Sequence, residues 1–194
     1  MTSSRETGAR RGGSNLARNA AIVVGIFLVG FIALLATRGA NTPISSRIVG
    51  QAAPNFSGET LDGSRFDLAM HRGEWVIVNF FATWCTECRL EDPQISQFVA
   101  SHEGEPVKVV SVAFSDDAES IRTYFAGRQG ASWPVIPSDT GRIALDYGIT
   151  KVPESYVVAP SGLVVAGFFG GVTASGLDEV INENGGMAMA GSGS

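Results

Sequence analysis

Cysteine and histidine are both scarce in this sequence of 194 residues. It contains two cysteines, Cys85 and Cys88, and two histidines, His71 and His102. Two cysteines exclude a framework of several disulfides. A structural zinc site takes four ligands at characteristic spacings, and these four residues have no such spacing. The sequence therefore predicts no metal site, and none of its motifs predicts a cofactor.

Basic residues are also few after the first part of the chain. The net charge is −5, and only 17% of the residues are charged. From Gln51 onward the chain is acidic and has no basic patch. Nucleic-acid-binding domains normally have a basic surface. We therefore expect no nucleic acid among the partners.

Charge is absent altogether from residues 20–36, which read AAIVVGIFLVGFIALLA. With Thr37, the run reaches the short end of a membrane span, which needs about 17–25 residues. More arginines precede it than follow it: Arg5, Arg10, Arg11 and Arg18 against Arg38 and Arg47. By the positive-inside rule, the N-terminus is expected in the cytoplasm and the rest outside. The sequence thus predicts a single-pass protein of the cell membrane with an extracytoplasmic domain.

A cleaved signal peptide and a buried helix are the alternatives to an anchor. Signal peptidase requires small residues at the first and third positions before the cut. Cleavage after Ala40 would place Arg38 at the third position, and cleavage after Ala36 would place Leu34 there. An anchor fits better, and either an anchor or a signal peptide leaves the domain in an oxidising space.

Composition divides the chain into five segments. Residues 1–19 form a basic cytoplasmic tail, 20–37 the anchor, 38–50 a polar linker and 51–183 the folded domain. The remaining segment, 184–194, reads NGGMAMAGSGS and predicts a disordered tail because of its low complexity.

Strand and helix patterns alternate within residues 51–183. Continuous apolar runs predict buried strands at 75–81 and 107–114, and a turn at 160–162 joins two further strands at 155–159 and 164–169. Helices are expected at 86–101, from a cap at Asp116 to 127, at 142–147 and around 177–181. Strand–helix–strand followed by hairpin–helix is the thioredoxin arrangement. It predicts an α/β domain with a mixed central sheet and helices on both faces.

The two cysteines lie in Trp84-Cys85-Thr86-Glu87-Cys88, at the start of the first predicted helix. Free N–H groups and the helix dipole favour a thiolate there, so Cys85 is the expected nucleophile. Cys88 lies one turn further and would resolve the mixed disulfide with a substrate protein. A static disulfide is the alternative, although closing so small a loop gains little stability.

Glu91 follows Cys88 by three residues and shares its helical face. If buried, it could carry protons to and from Cys88; if exposed, it is an ordinary glutamate near a helix N-terminus. The pattern leaves both open. Asn79 is expected to point into the sheet near the site, but it cannot titrate.

The Val152-Pro153 bond precedes the strand at Ser155. A cis bond there would expose the backbone of Val152 to an extended substrate, whereas a trans proline would merely begin the strand. The residues alone do not decide between the two.

Several motifs in order resemble the membrane-anchored thioredoxin-like proteins of the TlpA/ResA/DsbE (CcmG) group. They are Ala53-Pro54-Asn55-Phe56, Leu61-Asp62-Gly63, the segment 78–85, Cys88-x-x-Glu91-x-Pro93, Tyr147-Gly148-Ile149, Val152-Pro153-Glu154-Ser155 and Pro160-Ser161-Gly162. The resemblance implies a cis Pro153 and a functional Glu91, with Trp84, Val152 and Pro153 contacting the substrate. It also implies reduction of the haem-attachment cysteines of apocytochrome c, with electrons from a membrane protein of the CcdA/DsbD type.

Two departures leave the redox direction open. Phe81 replaces a common tryptophan, and Glu87 stands where the group often has a proline that favours a reducing couple. An oxidant of exported proteins is therefore a second hypothesis, and a non-catalytic module that binds an assembly partner is a third. A peroxidase is disfavoured because residues 79–85 lack the Pro-x-x-x-Thr-x-x-Cys pattern.

Overall fold

The computed structural model describes residues 14–37, 48–127, 131–137 and 141–190. The chain divides into two units, Met1–Ala40 and Asn41–Ser194. Residues 1–13 of the predicted tail (1–19) and residues 38–47 of the predicted linker (38–50) lie outside the described residues.

The described part of the first unit is the helix α1 (Ser14–Thr37). Its large apolar side chains between residues 22 and 31 are exposed. Within the part of the chain that the structure describes, no helix combines the length and the apolar character that a membrane span needs. The anchor thus stays a prediction.

The second unit is built around a five-stranded mixed sheet. Two short strands, β1 (Ser57–Glu59) and β2 (Arg65–Asp67), form a separate hairpin. The sheet has the order β5-β4-β3-β6-β7 and consists of β3 (Trp75–Phe81), β4 (Val107–Ala113), β5 (Val135–Ile136), β6 (Glu154–Val158) and β7 (Val164–Phe169). Strands β3, β4 and β5 run parallel, whereas β6 and β7 are antiparallel to their neighbours.

Helices cover both faces of this sheet, as predicted. The elements are α2 (Thr86–Ser101), α3 (Ala118–Ala126), α4 (Arg142–Tyr147), α5 (Ala174–Ala190) and a short 3₁₀ helix at Leu68–His71. Alternate residues of each strand point to opposite faces. One face packs against apolar side chains of α2, α3 and α5, and the other packs against α4 and the first hairpin.

Two helix boundaries differ from the predictions. Asp117 caps α3, because its side chain accepts the N–H of Ser120 at 2.8 Å, and Asp116 is used elsewhere. Helix α5 continues to Ala190, so helical backbone occupies much of the segment for which low complexity predicts a disordered tail. The sequence patterns also missed β1, β2 and β5, which are only two or three residues long.

The topology brings the cysteine motif and Pro153 together. Strand β3 ends at Phe81, four residues before Cys85, and β6 begins at Glu154, directly after Pro153. The two strands are antiparallel, and Phe80 is paired with Glu154. The C-terminal end of β3 and the N-terminal end of β6 therefore lie next to each other, and they place Cys85 and Pro153 at the same end of the sheet.

Candidate active site

Cys85 occupies the N-cap position of α2. Its backbone is extended (φ −81°, ψ 115°), and its sulfur accepts the N–H of Cys88 at 3.1 Å. The two cysteines form a disulfide, with their Cα atoms 5.3 Å apart. Cys88 is 2% exposed and Cys85 is 7% exposed. Both cysteines are thus largely buried in the disulfide form, Cys85 slightly less than Cys88, and the predicted order of attack stays a prediction.

Side chains from the loop after β4 hold the segment before Cys85. Oδ2 of Asp116 accepts the backbone N–H of Thr83 at 2.6 Å and the hydroxyl of Thr83 at 2.8 Å. The indole N–H of Trp84 donates to the carbonyl of Ser115 at 3.1 Å. Arg89 donates to the carbonyl of Thr83 from the other side, at 2.6 and 2.8 Å. These bonds fix the approach to the cysteines.

The Val152–Pro153 peptide bond is cis, the alternative that the family resemblance favoured. The carbonyl oxygen of Val152 lies 3.7 Å from the sulfur of Cys85. Trp84 is 58% exposed although its indole N–H is anchored. The three residues that we expect to contact a substrate thus lie near Cys85, and their role there stays a prediction.

Glu91 is buried, with only 3% of its surface exposed. Its Oε1 accepts an N–H of the Asn79 side chain at 2.8 Å, and its Oε2 accepts the backbone N–H of Val172 at 3.0 Å. The position of Glu91 three residues after Cys88 places both on the inner face of α2. Of the two alternatives for Glu91, the structure therefore gives the buried one.

Burial raises the pKa of Glu91 from 4.5 to about 7, because the ionised form loses its hydration. The hydrogen bonds from Val172 and Asn79 oppose this rise, whereas the negative charges of Asp92 and Glu87 add to it slightly. A carboxyl group with such a pKa can accept and return a proton near neutral pH. It thus has the chemistry of a general acid–base on the helical face that carries Cys88.

A row of polar residues crosses the sheet behind Glu91. Ser111 on β4 and Ser155 on β6 are register partners of Asn79 on β3, and all three are buried. The hydroxyl of Ser111 donates to Oδ1 of Asn79 at 3.0 Å, while Nδ2 of Asn79 donates to Ser155 at 3.1 Å. Sequence reasoning found only Asn79. The signal for the others was a single serine within each apolar strand.

A second buried carboxyl group, Glu154, lies on the opposite face of the sheet. Its side chain accepts the hydroxyl of Tyr156 at 3.1 Å, and burial raises its pKa. Because Glu154 pairs with Phe80 rather than Asn79, it points away from the face that holds Glu91. Metal ligation has no candidate within the described ranges, where no three acidic, histidine or cysteine side chains cluster.

The model of the AhpC/TSA family matches residues 49–166, which include the cysteine pair, Glu91 and the cis proline. The chain belongs to the AhpC/TSA family. The chain is also similar to the thiol-disulfide oxidoreductase ResA of Bacillus subtilis (strain 168), with 30% identity over 134 residues that cover 69% of this chain and 74% of that protein. The resemblance drawn from the sequence motifs is thereby confirmed.

Further similar proteins are also thiol–disulfide exchange proteins by name. The ResA protein of Bacillus thuringiensis subsp. konkukian is 24% identical over 84% of this chain and 93% of its own length. Among solved structures, a thiol:disulfide interchange protein of the thioredoxin family from Chlorobium tepidum superposes with a TM-score of 0.62 and 28% identity, covering 72% of this chain and 98% of that one. With its disulfide in the Cys-x-x-Cys motif, this AhpC/TSA-family chain is a thiol–disulfide oxidoreductase with a thioredoxin-like fold.

Proposed function

We propose that this oxidoreductase reduces the haem-attachment cysteines of apocytochrome c outside the cytoplasmic membrane. The observation that carries the proposal is the joint placement of three groups: a better exposed Cys85, a buried Cys88 and a buried Glu91 with a pKa of about 7. This arrangement suits electron transfer to the disulfide of a protein chain. The similarity to proteins named ResA supports the choice of substrate.

The reaction begins with the reduced form of the enzyme. The Cys85 thiolate attacks one sulfur of the substrate disulfide, forms a mixed disulfide and releases the other substrate sulfur as a thiolate, which takes up a proton. Glu91 then accepts the proton of Cys88. The Cys88 thiolate attacks the Cys85 sulfur and expels the second substrate sulfur as a thiolate, which takes up the proton held by Glu91, and the Cys85–Cys88 disulfide is left. Two electrons pass from the enzyme to the substrate.

The substrate chain binds beside Val152 in this proposal. An extended segment with its disulfide at Cys85 can form backbone hydrogen bonds with residue 152, and the exposed ring of Trp84 offers an apolar contact on the other side. Both contacts are independent of most substrate side chains. The enzyme can therefore act on an unfolded polypeptide.

We further propose that the N-terminal segment is a membrane anchor and that a membrane protein of the CcdA/DsbD type returns the electrons. The uncharged run at 20–36 and the arginines before it support the anchor. A reducing pair in an oxidising space needs such a supply. Retention of the full chain in a washed membrane fraction, with its domain accessible to protease only from outside, is the expected result. Release of the intact domain into the soluble fraction would contradict the anchor.

The trapping experiment uses the Cys88→Ala variant in cells. Without the resolving thiol, the mixed disulfide at Cys85 cannot be released, so the substrate should remain attached and be identified by mass spectrometry. We expect an apocytochrome c, and the Cys85→Ala variant serves as the matched control that captures nothing at this position. Capture of other exported proteins alone, or normal levels of all c-type cytochromes after gene deletion, would contradict the role in cytochrome maturation.

The second candidate is an oxidant of exported proteins, which Glu87 in place of proline favours. The reduction potential of the Cys85–Cys88 couple separates the two. For a reductant of apocytochrome c we expect a reduction potential like that of thioredoxin, about −270 mV. An oxidant of exported proteins would have a reduction potential of about −120 mV. Equilibration with glutathione buffers of known potential measures it. Function that persists in Cys85→Ala would instead favour the non-catalytic binding module.

A further inference from the structure

A chain of three buried hydrogen bonds runs along one face of the sheet to Glu91, from Trp133 beside β5 by way of β4 and β3. The indole N–H of Trp133 donates to Oγ of Ser111 at 2.8 Å, and the hydroxyl of Ser111 donates to Oδ1 of Asn79 at 3.0 Å. The amide of Asn79 then donates to Oε1 of Glu91 at 2.8 Å. All four side chains are buried, so water does not compete for these bonds.

The chemistry of its two ends gives this chain a direction. The indole N–H of Trp133 can only donate, and an ionised Glu91 can only accept. Because Ser111 accepts from Trp133, its own proton is directed toward Oδ1 of Asn79. The amide group of Asn79 therefore presents its N–H₂ to Glu91. Hydrogen bonds aligned in this way polarise and strengthen one another.

We propose that Trp133 and Ser111 are positioning residues for Glu91: they align the Asn79 amide so that it stabilises the ionised carboxylate. The inference deepens the proposed function, and only its consequence for exchange rests on Glu91 acting as the proton carrier. The alignment sets the pH range in which Glu91 can take the proton from Cys88.

The groups that favour ionisation of Glu91 are neutral hydrogen-bond donors, and one of them, Asn79, is the last link of the hydrogen-bond chain. The charged groups that act on it, Asp92 and Glu87, both belong to α2 and disfavour the carboxylate. The other elements against it present neutral donors: β3 contributes Asn79, and the segment after β7 contributes the backbone N–H of Val172. Weakening the hydrogen bond that Asn79 donates to Glu91 should therefore raise the pKa of Glu91.

The first measurement is a carbon-13 NMR titration of the Glu91 carboxyl group in the oxidised full-length protein, where the two cysteines do not titrate. The variants are Ser111→Ala and Trp133→Phe. We expect the Glu91 midpoint to rise by roughly one pH unit in Ser111→Ala, the size of one net hydrogen bond, and by less in Trp133→Phe, which removes a bond one step further away. Ser111→Ala removes a single oxygen, so it tests the inference even if Trp133→Phe does not fold.

Two control variants separate alignment from general disturbance of the packing. Ser155→Ala also removes a hydroxyl beside Asn79, but this hydroxyl accepts from the amide and lies outside the chain. Trp75→Phe shortens another buried tryptophan on the same face of the sheet. Both should leave the midpoint within a few tenths of a unit. An unchanged midpoint in Ser111→Ala, or an equal rise in Ser155→Ala, would overturn the inference.

The second measurement is the pH profile of exchange between the reduced enzyme and a small disulfide. If Glu91 carries the proton of Cys88, the profile of Ser111→Ala should move to higher pH together with the NMR midpoint. A shifted NMR midpoint with an unshifted exchange profile supports the alignment but contradicts the proton-carrier role in the proposed function. The two failures are therefore distinguishable.

Discussion

At the scale of single residues, the site depends on a carboxyl group placed where ionisation is costly. Glu91 is buried against β3 and the segment after β7, and two N–H groups are directed at its oxygens. Desolvation outweighs these donors, so the pKa rises to about 7 rather than falling. The same balance that suits proton transfer should also make the stability of the fold depend on pH.

The sign of this dependence follows from linkage. The pKa of Glu91 is about 7 in the folded state and 4.5 as the reference value for the unfolded chain. The folded state thus holds this proton more tightly, and its stability should fall as the pH rises between these two values. The loss amounts to roughly 3 kcal/mol across the interval. Glu91→Gln cannot ionise and should remove this part of the pH dependence.

Urea unfolding of the oxidised protein at several pH values between about 5 and 8 measures the effect. The two donors face different oxygens of Glu91, and in glutamine one of these positions is an N–H₂ group that cannot accept, which adds a penalty that does not vary with pH. Glu103→Gln changes an exposed glutamate just after the end of α2; it is the control and should keep the wild-type dependence. A Glu91→Gln variant with an unchanged dependence would contradict the raised pKa.

At the scale of elements, the start of α2 is held by a loop from a different part of the chain. The sequence predicts Asp116 as the cap of α3, and this prediction was wrong because Asp117 caps α3. Asp116 instead accepts two hydrogen bonds from Thr83. Two neighbouring aspartates therefore serve two different elements, which local pattern cannot distinguish.

Asp116→Ala should loosen the segment that presents Cys85. The backbone N–H of Thr83 would lose its acceptor, and we expect a loss of about 1–2 kcal/mol in unfolding free energy. The rate of exchange with a small disulfide should fall several-fold, because the thiol would be less well positioned. Asp116→Asn keeps an acceptor oxygen and is the matched variant that should retain most of the rate. Equal rates in both variants would show that this contact does not position the site.

At the scale of the whole molecule, the residues before β1 pair with the start of β7 and the turn before it. Gly50 and Gln51 exchange backbone hydrogen bonds with Val164, and the N–H of Ala53 donates to the carbonyl of Gly162. Ile48 and Val49 pack against the apolar cluster on the α4 face. Within the described residues, the contacts of this unit thus include three residues that precede the predicted domain start at Gln51.

Two truncated chains test whether this segment belongs to the folded unit. Residues 54–194 lack the three backbone hydrogen bonds to Gly162 and Val164 and the apolar contacts that residues 48–194 retain. At about 1 kcal/mol for each net hydrogen bond, the shorter chain should lose roughly 3 kcal/mol and several degrees of its thermal midpoint. Circular dichroism on heating measures both. Equal midpoints would mean that the segment contributes no stability.

Much of the fold could be predicted because its signals are local. The buried strand β3 appears as a continuous apolar run, and the turn at 160–162 marks the hairpin that ends in β7, so both strands were predicted at their observed bounds. The α2 helix and the position of Cys85 at its start follow from residues close together in the chain. Strands of two or three residues, such as β5, have too little pattern to be recognised.

The sequence by itself determined that two thiols lie one helical turn apart, because helix geometry relates Cys85 and Cys88 without help from the rest of the chain. The burial of Glu91 was decided only by the tertiary structure. Its donor at Val172 is 81 residues away, and Asn79 and Ser155 are 76 residues apart. The free energy of a buried charge depends on which distant groups surround it, and packing alone brings these groups together.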